Sequence, residues 1–304
     1  MPQRRGSIRL FRFLGVEVFL HWSWFLIAVF EIQARAGRYS SISWNVLEYL
    51  ALFAIVLTHE YGHALACRQV GGRANQIVLW PLGGVAYVDP PQRPGATLWS
   101  IAAGPLVNVA LFPLLFAFMA LTTVWKHTRP NLYQFAFAIL AIDVVLFVFN
   151  ILPIYPLDGG QILRSLLWFV IGRARSLTVS TLLGLVGIAG LFLFAVRSSS
   201  VWIGIMAVFL VLNCWAGLKH SLHLLRLAKL PHRTGLQCPW CHAAPPQGRF
   251  WICPECSTII DLFESQGACS YCGKVAANVS CVECAHSSPM QDWIVREKIA
   301  VAGS

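Results

Sequence analysis

Leu47 to Cys67 is an apolar run of about 20 residues, long enough to cross a hydrocarbon core as one helix. It nevertheless carries His59, Glu60 and His63 in the order His-Glu-Tyr-Gly-His. Ionisable groups are costly at that depth, and inside a span they mark a site by default. On a helix, residues four apart share a face, so both imidazoles can reach one metal ion, while Glu60 sits about 100° round and addresses a bound water. This is the H-E-x-x-H zinc pattern. The competing reading is that the two histidines are satisfied by hydrogen bonds from neighbouring helices.

The rest of the chain has the same apolar character. With 57% hydrophobic and 12% charged residues among 304, a soluble enzyme is excluded and a polytopic α-helical membrane protein expected. The apolar runs predict about six spans: Leu14–Ile32, Leu47–Cys67, Ala96–Val124, Leu132–Leu152, Leu177–Val196 and Val201–Leu218. Six crossings put both termini on one side. Arg4, Arg5, Arg9, Arg12, Arg68, Arg73, Arg93, Arg164, Arg173, Arg175, Lys219, Arg226, Lys229 and Arg233 fall on that side, against Arg35, Arg38, Lys126, Arg129 and Arg197 on the other. Both termini are therefore expected in the cytoplasm. The run before Ala34-Arg35-Ala36 is longer than a signal-peptide core and holds His21, Trp22 and Trp24, so it is read as a retained helix. Up to Arg233 there are 19 basic and 7 acidic residues, and beyond it 4 and 6; the positive charge suits anionic lipid better than nucleic acid.

After the motif run, Gly71 and Gly72 break the chain, and Ala74–Asp89 reads as two β-type runs around Pro81–Gly84. It is too short for a helix pair and predicts a hairpin dipping into the membrane, where irregular backbone is tolerated only against protein or a water-filled cavity. The third span contains Gly104 and Pro105, read as helix packing through a small residue and a kink, and Asn108, whose amide needs a partner, either a neighbouring helix or a substrate backbone. The fourth ends in Asn150-Ile-Leu-Pro-Ile-Tyr-Pro-Leu-Asp-Gly-Gly160, a break that presents Asp158 from a fixed turn. A catalytic zinc needs three protein ligands and one open position, and two histidines with a carboxylate form a known set. Asp158 is the expected third ligand; Asp143 competes, but its position within a span favours hydrogen bonding.

These four motifs, HEYGH, PLGG, AGPLVN and NILPIYPLDGG, in that order resemble the site-2 protease family of intramembrane zinc metalloproteases, over about Arg9 to Gly172. The resemblance implies zinc held by His59, His63 and Asp158, Glu60 as the catalytic carboxylate, and Asn108 and Asn150 beside the substrate. It also implies that Gln76–Val88, with Gly83 and Gly84, holds substrate as an added strand. The expected activity is cleavage of transmembrane segments of single-pass membrane proteins by Glu-assisted attack of zinc-bound water. Two positions depart from the family pattern: Tyr155 stands where proline is usual, and Asp143 where asparagine is common.

Eight of the ten cysteines form four C-x-x-C pairs: Cys238/Cys241, Cys253/Cys256, Cys269/Cys272 and Cys281/Cys284. In a reducing compartment such knuckles mean structural zinc, and about 50 residues with little core can fold around two metals. Consecutive pairing predicts one site of Cys238, Cys241, Cys253 and Cys256 and another of Cys269, Cys272, Cys281 and Cys284, a double zinc ribbon. Cys67 and Cys214 are read as buried apolar residues. The expected organisation is a membrane domain over 1–218, a basic juxtamembrane linker over 219–233, the ribbon over 234–286 and a tail over 287–304. A closed ribbon on a net-acidic segment suits a protein partner rather than nucleic acid. The alternatives are a catalytically silent protease-like scaffold that recruits partners through its ribbon, and a zinc transporter. An intact H-E-x-x-H argues against the first, and clustering of the motif charges towards one face against the second.

Overall fold

The computed structural model describes residues 6–35, 37–80, 83–284 and 286–294. Arg4, Arg5, Ala36, the Pro81–Leu82 tip of the expected hairpin and the tail after 294 lie outside the described residues. The chain divides into two units, Met1–Lys219 and His220–Ser304.

In the first unit, strands β1 (Ser7–Phe13) and β2 (Val16–His21) precede helices α1 (Ser23–Ala34) and α2 (Ile42–Gln69); β3 (Arg73–Trp80), β4 (Gly83–Asp89) and helices α3 (Pro94–Thr122), α4 (Pro130–Ile151), α5 (Asp158–Ile171), α6 (Arg173–Arg197) and α7 (Val201–Leu227) follow. Five of these helical stretches, in α2, α3, α4, α6 and α7, are long and apolar enough to cross a membrane. The first expected span, Leu14–Ile32, folds differently: it divides between β2 and the 12-residue α1. An apolar run reads alike whether it becomes a buried strand or a buried helix, because periodicity cannot separate the two. The overlooked signal was Leu14-Gly15, where two consecutive positive φ angles make a two-residue hairpin turn between β1 and β2. Arg68, in the last turn of α2, donates to the carbonyls of Leu14 and Gly15 and fixes that turn against the helix.

The four strands form one sheet in the order β1-β2-β3-β4, with β2 parallel to β3 and both hairpins antiparallel. Pairing with β2 gives the expected β3–β4 hairpin a two-strand extension. Val16, Val18, Leu20, Ala74, Ile77 and Leu79 pack with Val56, Ala64 and Cys67 of α2, so the sheet is clamped on the motif helix. Burial of Cys67 agrees with its reading as an apolar residue, and Cys214 is likewise buried. The loop before α2 is held by Glu48, which accepts from Arg35, Arg38 and Tyr39. Burial, with help from Glu48, pushes the Tyr39 hydroxyl pKa up.

Helix α7 continues to Leu227, so more than half of the expected 219–233 linker is helical. In the second unit the knuckles do not pair consecutively. Cys238 and Cys241 cluster with Cys281 and Cys284, and Cys253 and Cys256 with Cys269 and Cys272, a nested arrangement that corrects the expected one. Sulfur separations are 3.7 Å for Cys238–Cys284, Cys241–Cys281 and Cys253–Cys272, and 3.6 Å for Cys256–Cys269. A tetrahedron with Zn–S bonds of about 2.3 Å has edges of about 3.8 Å, so both clusters fit zinc.

Nesting goes with a contact that brings the segments on either side of the knuckles together: Gln237 N–H donates to the Trp293 carbonyl at 2.8 Å and Leu236 bridges Ile294. Trp293, placed in the tail by its sequence position, is a core residue beside Trp251, Ile260, Leu262 and Val279. The first three knuckles repeat one turn, with the residue after the second cysteine at positive φ: His242, Ser257 and Gly273. The two-residue strands β5 (Trp251–Ile252) and β6 (Ile259–Ile260) flank the second knuckle, and β7 (Val279–Ser280) and β8 (Ser287–Ser288) the fourth.

Asp261 ties the unit together. It accepts from Arg233 at 2.6 Å and from the backbone of Gly248, Phe263 and Glu264 at 2.9, 3.1 and 3.2 Å. Burial raises its pKa, but these donors outweigh burial and hold it below the usual carboxylate range. Its contribution is thus present above the pH at which the unfolded carboxylate ionises and is lost as pH falls through the depressed folded value. Asp261→Ala leaves Arg233 without its carboxylate and should destabilise the ribbon by about 3 kcal/mol. Faster amide exchange over 233–265 in the full chain checks this.

Candidate metal centre and active site

His59 and His63 lie on α2 and Asp158 opens α5; one ligand atom from each falls within 4.8 Å of the others. His59 Nε2 is 3.0 Å and His63 Nε2 3.3 Å from Asp158 Oδ2, and the two Nε2 atoms are 3.1 Å apart. Ligands at about 2.0–2.1 Å from a tetrahedral zinc are separated by about 3.3 Å, so this triangle has the size of one face of a zinc site. The other ring nitrogens point away and are occupied. His63 Nδ1 is 3.0 Å from the Ser100 carbonyl, and His59 Nδ1 is 2.6 Å from Asn108 Oδ1. Both Nε2 lone pairs are thereby free for a metal.

Two features of sequence place these groups. Along the α2–α3 contact, a Cβ at Gly62 would meet the Ala103 carbonyl, and one at Gly104 would overlap the imidazoles of His63 and His59. Gly104 is therefore part of the wall of the metal site and more than a packing residue, which corrects its reading from sequence. At the α4–α5 break, a Cβ at Gly159 would overlap the carbonyls of Ile151 and Leu152, and one at Gly160 the Ile154–Tyr155 backbone. The chain folds back onto the first turn of α5, and only glycines after Asp158 allow it. Gln161 steadies the break by donating to the Pro156 carbonyl at 2.9 Å.

Glu60 is buried, and its Oε2 accepts from the Ala86 N–H at 2.8 Å. The hairpin thus supplies an edge strand, β4, with an outward amide turned on the carboxylate. A Cβ at Gly84 would collide with the Glu60 side chain, so this glycine gives Glu60 its room. Gly83, at φ 137°, lies one residue nearer the turn. Asn150 is half-buried near the end of α4.

Asn108 does not fit the substrate-contact role expected for it. It is 1% exposed, and its amide is spent between His59 and Asp143, donating from Nδ2 to Asp143 Oδ1 at 2.7 Å. The neighbouring-helix alternative was the correct one. Asp143 is no ligand here; it reaches the metal face only through Asn108, as its position within α4 suggested.

A family model for Peptidase family M50 matches residues 48–134 and 123–194, a region containing every residue of this site. The solved site-2 protease from Methanocaldococcus jannaschii superposes with a TM-score of 0.51 at 28% identity, covering 70% of this chain and 95% of that one. The chain belongs to the site-2 protease family. A zinc metalloprotease of M. jannaschii is 30% identical over 203 residues, 67% of this chain and 58% of its own length. Rip3 of Mycobacterium tuberculosis is 30% identical over 177 residues, 54% of this chain and 44% of its own. The stage IV sporulation protein FB of Bacillus subtilis is 37% identical over 116 residues, 38% of each. The chain thus spans about half the length of these curated relatives. With its five long apolar helices, this family member is a multi-pass membrane protein.

Because Gly104 touches both imidazoles, Gly104→Ala should strip metal from this site, while Gly190→Ala, which meets nothing within 4 Å, should leave it intact. Metal analysis of the two purified variants decides it.

Proposed function

We propose that this chain is an intramembrane zinc endopeptidase that hydrolyses transmembrane segments of single-pass membrane proteins, with its termini in the cytoplasm of a cell whose membrane it spans. The observation that carries the proposal is the meeting, within the membrane unit, of the His59–His63–Asp158 triangle with a carboxylate held on a strand edge.

A zinc ion in the triangle supplies Lewis acidity, which polarises a peptide carbonyl and acidifies water. Glu60 follows His59 on α2, takes the proton of the attacking water and returns it to the leaving nitrogen. Its burial and its bond to Ala86 hold it in one place for both transfers. A helical substrate hides its carbonyls in its own hydrogen bonds and must be extended first. β4 pairs with β3 on one side and with no strand on the other among the described residues, so an extended segment can add there. His59, His63 and Asp158 serve as ligands, with Gly83, Gly84 and Asn150 lining the substrate path.

The two cysteine clusters are closed Cys₄ sets with no open coordination position, so they hold structural zinc and activate no water. The ribbon is then a selector of protein partners, such as the substrate's cytoplasmic tail. The silent-scaffold reading finds no support in a triangle whose size fits zinc and a glutamate kept beside it.

The test is purified protein in bicelles with a synthetic transmembrane peptide. Cleavage that stops on chelation and returns with zinc is expected; intact peptide throughout, with zinc bound, would count against the proposal.

A further inference from the structure

The two histidines are oriented by different kinds of partner. His63 Nδ1 faces a backbone carbonyl, that of Ser100, which can only accept; its Nδ1–H tautomer is therefore fixed and Nε2 stays bare. His59 Nδ1 faces a carboxamide, that of Asn108. An amide is two-faced: turned by 180°, it occupies the same space but presents N–H₂ to the ring. In that orientation Nδ1 must accept, the proton moves to Nε2, and the nitrogen that points at His63 and Asp158 cannot bind a metal.

What distinguishes the two amide orientations is Asp143. Its Oδ1 lies 2.7 Å from Asn108 Nδ2 and accepts from it, so it holds the N–H₂ end and leaves Oδ1 for His59. All three groups are nearly inaccessible to solvent, at 1% exposure for Asp143 and Asn108 and 3% for His59. They also come from three helices, α4, α3 and α2. We propose that Asp143 is a positioning residue: by fixing Asn108, it selects the tautomer of His59 that can hold zinc. The inference rests on the metal-site reading above and adds to it a selector that the His63 side does not need.

The test is zinc affinity of the membrane site in the full-length protein, by chelator competition, with ribbon zinc as the internal reference. Asp143→Leu removes the selector and should weaken that site about 10–100-fold, the range for lost outer-sphere partners of ligating histidines. Asp143→Asn, which can present either end to Asn108, should weaken it less. The decisive variant adds Asn108→Asp to Asp143→Leu. A carboxylate at 108 accepts from His59 whichever way it turns, needs no selector, and should restore affinity to near the wild-type value.

Wild-type affinity in Asp143→Leu would overturn the proposal. So would a double variant as weak as Asp143→Leu, since lost packing at 143 would not be repaired from 108. Where Asp143→Leu fails to fold, Asp143→Asn with and without Asn108→Asp gives the same comparison. Should the wild type bind zinc in the ribbon alone, the metal-site reading itself falls; three zinc ions in the wild type with unchanged affinity in Asp143→Leu would remove only the selector.

Discussion

Glu60→Gln should retain its zinc and lose proteolysis by about 10²–10⁴-fold, the range expected for a positioned general base. The substitution is nearly isosteric, and the glutamine oxygen can still accept from Ala86, so the side chain stays where Glu60 is. Glu60 is not one of the three groups whose atoms converge on the metal position, so zinc content should be unchanged. The single property removed is the ability to take a proton from water. Peptide cleavage and metal content measured on the same preparation separate these effects. Wild-type turnover with bound zinc would show that proton transfer runs through another group.

Asp158→Ala should empty the membrane site while both ribbon sites stay filled, so that bound zinc falls from three per chain to two. The two histidines alone leave a zinc two ligands short of a stable tetrahedron, and the loss should exceed the roughly 10–100-fold that even outer-sphere changes cost. Asp143 cannot substitute, because Asn108 stands between it and His59. Activity should vanish with the metal, unlike Glu60→Gln, in which activity alone is lost. Three zinc ions in Asp158→Ala would mean that a different group completes the site.

The convergence of His59, His63 and Asp158 was legible because their spacing is a property of one helix and one turn. His59 and His63 are a helical turn apart, and Pro153 and Pro156 interrupt the helix just before Asp158, which opens α5. The β3–β4 hairpin was legible for a similar reason, since glycines and a proline punctuate two β-type runs. What sequence hid was decided between elements. Whether Val16–His21 is strand or helix depends on pairing with β3, some 60 residues away, and apolar content reads the same for both. Asn108 could satisfy its amide on a substrate or on a neighbour, and only the approach of α4 chooses Asp143. Gly104 looked like any small residue in a span until α2 placed two imidazoles on it. The knuckle pairing goes with the contact between Gln237 and Trp293, which cysteine spacing does not encode.

The central claim is hydrolysis of a peptide bond within an apolar span, and cleavage in ¹⁸O-enriched water tests it most directly. Wild-type protein and a transmembrane substrate should give a product whose new C-terminus lies inside the substrate's apolar segment and carries one ¹⁸O, with no such product from Glu60→Gln. A cut confined to the substrate's soluble flanks, or the same labelled product from both proteins, would contradict the account.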